Sequence, residues 1–72
     1  MALRKRSLAL AGHATSLALE PAFWGVLEEM ASARGMSLSE LVARIDSERG
    51  GSPLASACRL AALSHARGPL DS

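Results

Sequence analysis

The sequence predicts a mainly α-helical fold carrying a short β-ribbon, and three observations predict it. Residues 14–20, Ala-Thr-Ser-Leu-Ala-Leu-Glu, alternate as a strand does and run straight into Pro21. Two amphipathic stretches follow, parted by Gly35, and a third opens after Gly50-Gly51-Ser52-Pro53. A period of two thus gives way to the helical period.

The chain has 72 residues, 49% of them hydrophobic and 21% charged, which suits one small folded domain. In so short a chain a lone core supplies only ~3–5 kcal/mol unless something staples it. A single cysteine excludes an internal disulfide, and there is no Cys/His cluster to hold a structural zinc, so no metal or cofactor is expected. Oligomerisation is the remaining staple. A homodimer is therefore expected.

The strand places Leu17, Leu19 and Thr15 on one face, and Ala14, Ser16 and Ala18 on the other. It needs a partner, because one strand leaves its own backbone groups unsatisfied. Residues 1–12 read as a basic arm, with Arg4, Lys5 and Arg6 and no acid before Glu20. Leu8 and Leu10 alternate there with Ser7, Ala9 and Ala11. The arm is either flexible to about Gly12 or a second strand turned by Gly12-His13, a turn that sets Leu10 opposite Thr15 and Leu8 opposite Leu17.

The first helix should begin with Pro21 in its first turn and run to about Arg34. Phe23, Val26, Leu27 and Met30 form its apolar stripe, opposite Gly25, Glu28, Glu29 and Ser32. Leu19 and Trp24 stand at the positions of a hydrophobic staple, and Gly35 is the stop. The second helix opens on the capping box Ser37-Leu38-Ser39-Glu40, buries Leu38, Leu41, Val42 and Ile45, and ends near Gly50-Gly51. The third takes Ser52 as cap and Pro53 as first residue. From Leu54 to about Ala66 it is apolar nearly all round, which calls for cover on more than one side. Residues 13–67 thus form the domain, and 68–72 a frayed tail.

Catalysis has little to stand on. Cys58 lies mid-helix on an apolar face, where a small core residue is expected, and His13 and His65 belong to separate elements. No Gly-rich phosphate loop and no metal-ligand spacing appears, so an enzyme is not expected. The apolar run Leu8–Ala11 is too short for a secretion signal, and no run reaches the ~18 residues of a membrane span. The cytoplasm is the expected compartment. The net charge is only +1, so attraction to a polyanion would have to come from the arm.

The succession Leu17-Ala18-Leu19, Phe23, Leu27, Met30, Gly35-Met36-Ser37 and the Leu38/Leu41/Val42 stripe resembles the ribbon-helix-helix family. Lys5-Arg6-Ser7-Leu8, Ala11-Gly12-His13, Thr15-Ser16, Leu19-Glu20-Pro21-Ala22-Phe23-Trp24 and Ser56-Ala57-Cys58-Arg59-Leu60 are similar to a bacterial branch with an added C-terminal helix. The resemblance spans roughly residues 5–67. It implies a homodimer whose subunits each give a strand to an intermolecular antiparallel ribbon. Thr15, Leu17, Leu19, Leu38, Leu41, Val42 and Ile45 would then lie at the dimer interface.

The resemblance also implies double-stranded DNA as partner, with the ribbon in the major groove. Ala14, Ser16 and Ala18 would meet base edges. Arg4, Lys5 and Arg6 would track phosphates, and Ser37 and Ser39 would present the second helix to the backbone. Readers of base edges are usually Arg, Lys, Asn or Gln, so two alanines and one serine predict modest specificity. Four to six phosphate contacts would give a log K versus log salt slope of ~−4 to −5. A transcriptional regulator is the leading expectation. The rivals are a protein-interaction adaptor that kept the dimer and lost the base reading, motivated by the over-apolar third helix, and an antitoxin.

Overall fold

The computed structural model describes residues 2–68, in the order β1 (Arg4–Leu10), β2 (His13–Leu19), α1 (Pro21–Ala33), α2 (Leu38–Glu48) and α3 (Leu54–Arg67). The expected tail lies outside the described residues apart from Gly68.

The arm is a strand. β1 and β2 pair antiparallel within the chain, with Arg4 opposite Leu19, Arg6 opposite Leu17, Leu8 opposite Thr15 and Leu10 opposite His13. The turn is therefore Ala11-Gly12 and not Gly12-His13. Both turn residues have positive φ, 52° at Ala11 and 83° at Gly12. Such a two-residue turn follows the twist of its strands, and glycine takes its second place at no steric cost. Moving the turn by one residue shifts the register by two, which keeps every side chain on its expected face. Leu8, Leu10, Leu17 and Leu19 consequently share one face, and all four are buried.

Along one of its edges β2 has a partner from its own chain. That partner is β1, whose Leu8 and Leu10 add to the apolar face of Leu17 and Leu19. The leucine face packs on Trp24, Leu27, Met30 and Ala31 of α1, Leu41 and Val42 of α2, and Cys58 and Ala62 of α3. Leu17, Leu19, Leu41 and Val42 are thus buried inside one chain, while Thr15, Leu38 and Ile45 stay partly open.

Local chemistry explains the helix ends. Pro21 opens α1, and Gly35, at φ 67°, closes it. The Gly35 N–H donates to the Ser32 carbonyl at 3.1 Å and the Met36 N–H to the Ala31 carbonyl at 3.0 Å. That pair of bonds is the Schellman stop, which satisfies carbonyls the helix leaves open. At the start of α2 the capping box closes in both directions: Glu40 N–H donates to Ser37 Oγ at 3.1 Å, and Ser37 N–H to Glu40 Oε1 at 2.8 Å. The start of α3 differs from expectation. Pro53 occupies the cap position and no side chain caps the helix, while the Ser52 N–H turns back to the Arg49 carbonyl.

Candidate nucleic-acid interface

Strand parity divides the polar residues of the hairpin into two sets. Lys5, Ser7 and Ala9 of β1 lie opposite Ala18, Ser16 and Ala14 of β2, and these six side chains face away from the helices. All are exposed except Ala18, which is half-buried. The face carries one cation and two hydroxyls and no acid. Its side chains are short apart from Lys5, so another backbone can come close to it.

Arg4 and Arg6 belong to the other parity, on the side of the leucines. Arg6 is committed there. Its Nη1 donates to Glu28 Oε2 at 2.8 Å, and its guanidinium lies 4.9 Å from the centre of the Trp24 ring. The Trp24 indole N–H donates to the Arg4 carbonyl at 2.8 Å, so β1 is pinned to α1 at two successive inward residues. The Leu19–Trp24 staple expected from the sequence thus has a polar counterpart. Arg4 and Lys5 are exposed and enter no ion pair among the described residues.

The start of α2 is less open to an anion than its position suggests. The Ser37 hydroxyl already accepts from Glu40, and the Glu40 carboxylate sits on the first free amide of the helix. The bond from the Ser37 N–H, with a smaller contribution from the Ser37 side chain, holds the Glu40 carboxyl below the usual carboxylate range. A phosphate there meets a standing negative charge. Ser37 is exposed and Ser39 half-buried.

Elsewhere the ionisable groups brace the fold. Arg59 of α3 donates from Nε to Glu20 Oε1 at 2.9 Å and from Nη2 to Glu20 Oε2 at 3.3 Å, and its guanidinium lies 5.9 Å from the Phe23 ring centre. Cys58 is buried, and burial pushes its thiol up to about 11, so it packs as a small apolar group. His65 Nε2 lies 3.3 Å from Glu29 Oε1. Among the described residues, no three of His, Cys, Asp and Glu gather as a metal site. No described helix is long and apolar enough to cross a membrane.

A two-stranded ribbon followed by helices across a Gly turn is the arrangement of one known family, and the family model for the ribbon-helix-helix domain matches residues 3–66. The chain belongs to the ribbon-helix-helix family. A solved structure similar to this ribbon-helix-helix chain is that of an uncharacterized protein from Bordetella pertussis Tohama I, 41% identical with a TM-score of 0.74. The match covers 85% of this chain and 53% of that one, so this chain spans about half of its relative's length. No curated protein matches this ribbon-helix-helix chain.

Lys5 was expected to meet phosphate, but Ser7 and Ala9 of the ribbon face were not among the expected site residues. The signal was present: Lys5, Ser7 and Ala9 share one parity, and Arg4, Arg6, Leu8 and Leu10 the other.

Proposed function

We propose that this ribbon-helix-helix chain is a DNA-binding regulator of modest sequence specificity that works as a homodimer in the cytoplasm. The observation that carries the proposal is the outward ribbon face, exposed, free of acids and lined by short side chains beside Lys5. Ala14, Ser16 and Ala18 lie against base edges, where methyl groups touch thymine and one hydroxyl reads permissively. Lys5 and Arg4 meet phosphates. Ser37 and Ser39 approach the backbone more weakly, because Glu40 holds the start of α2. Arg6 stays with Glu28 and Trp24 and serves the fold.

Salt titration of binding to random duplex tests this. Arg4 and Lys5 of each subunit make four cations in a dimer, so log K should fall with log salt at a slope of ~−3.6. A folded protein with no affinity for duplex even at low salt overturns the proposal.

A second reading, a protein-binding adaptor, is favoured by one observation. Leu60 and Leu63 of α3 are 65% and 49% exposed, side by side at helical spacing. Capture of a protein partner that Leu63→Glu abolishes, without loss of the fold, would support it.

A further inference from the structure

Leu60 and Leu63 belong to a longer seam on α3. Ser56, Leu60, Leu63 and Arg67 are spaced by four, three and four residues and all are exposed, so they form one line along the helix. The opposite side of α3 holds Cys58 and Ala62 in the core. Arg59, held by Glu20, closes one flank of the seam. On the other flank Ala57 and Leu60 border an open groove, whose far wall is Glu48 and Arg49 at the end of α2.

Charge is laid out end to end along this surface. α3 contains no Asp or Glu, and Arg67 is its last residue. Arg49 is held by Asp46. Glu48 and Arg67 are both exposed, and neither enters an ion pair among the described residues. The surface thus has an unanswered anion beside the start of α3 and two leucines at its middle. At its far end, roughly 16 Å beyond Ser56, stands an unanswered cation.

We infer that this seam packs against the α3 seam of a second copy, the two helices antiparallel about a two-fold axis between Leu60 and Leu63. A two-fold contact requires a surface complementary to itself, and this seam meets the requirement. Leu60 lies opposite Leu63 of the copy, and Leu63 opposite Leu60 of the copy. Arg67 of the copy comes to Ser56, whose short side chain leaves room, and reaches along the groove to Glu48. Symmetry supplies the second such pair. A parallel arrangement would set Arg67 beside Arg67 of the copy and leave both Glu48 side chains unanswered. A foreign helix would have to bring an acid to Arg67, a base to Glu48 and apolar residues between, whereas a second copy already has all three. The contact uses no strand residue, so it stands apart from the homodimer proposed above. Where that dimer forms, each presents two α3 seams and links to further dimers as concentration rises.

Charge reversal tests this on the whole protein. The mass by sedimentation should rise with concentration into the high micromolar range. Arg67→Glu and Glu48→Arg change exposed residues at helix ends, and circular dichroism checks that each variant keeps its fold. Each turns two attractions per contact into repulsions and should weaken the association roughly tenfold. Mixed in equal amounts, the two variants meet with opposite charges at both pairs, so assembly should return. The contact is overturned by a native mass that does not rise, by single variants that assemble as the native protein does, or by a mixture that assembles no better than its parts. Leu60 and Leu63 are then left to another protein. The mass at which the single variants stop reports the homodimer separately, two chains with it and one without.

Discussion

Arg59 holds Glu20 with two of its nitrogens, at 2.9 and 3.3 Å, across 39 positions of sequence. Glu20 is the residue between β2 and α1, and Arg59 is in the second turn of α3, so this fork fastens the last helix to the joint between ribbon and helices. The guanidinium bond is the largest cause holding the Glu20 carboxyl below its ordinary value.

A depressed carboxyl contributes stability that is present above its unfolded pKa, ~4.3 for glutamate, and is lost as pH falls through the folded value. Glu20→Gln should therefore melt earlier than the native protein at neutral pH. The difference should shrink steadily below about pH 4.3 as native Glu20 protonates. Thermal melts from pH 7 to pH 3 check this, and a difference that does not change with pH would refute it.

Ala11 carries a positive φ of 52° in a turn that prefers asparagine before glycine. Ala11→Asn should stabilise the fold by up to about 1 kcal/mol, a rise of roughly 4–8 °C in Tm for a domain of this size. A lower Tm would show that the turn is not the one described.

Leu17 and Leu19 are 5% and 0% exposed, inside the chain's own core. Leu19→Ala should cost about 2–5 kcal/mol. Leu17→Asp should unfold the chain as well as dissociate it, since the charge has no buried partner. Circular dichroism beside sedimentation distinguishes unfolding from dissociation. A folded monomeric Leu17→Asp protein would place Leu17 in an interface and not in a core.

Arg6→Ala tests the division of labour among the three basic residues. The salt slope of DNA binding should stay unchanged, while stability falls through the lost contact with Trp24, worth about 0.5–1 kcal/mol. Lys5→Ala should instead lower the slope by roughly 1.8, two contacts per dimer. The opposite pattern would return Arg6 to the phosphates.

Much of the fold was legible because its decisions are local. Gly35, Pro21 and the Ser37–Glu40 box each act within one turn of helix, and the structure has them where the residues place them. Residues that touch across the fold were not. Nothing near Arg59 announces Glu20, and nothing near Trp24 announces the Arg4 carbonyl. The hairpin turn fell between these cases. Gly12 marked it, but side-chain parity leaves glycine free to stand first or second, because either register keeps the leucines on one face. At the ribbon face, the short outward side chains of β2 were readable from parity alone. The commitment of Arg6 was not, because it depends on Glu28 and Trp24 arriving from α1.

Trp24 is the only tryptophan of the chain, and its indole touches both the Arg4 carbonyl and the Arg6 guanidinium. The molecule therefore carries its own optical probe at the seam between ribbon and helices. Any ligand that pulls Arg6 outward, or any opening that lifts β1 from α1, changes the intrinsic fluorescence at that one site. Events at the neighbouring basic residues can be followed without a label.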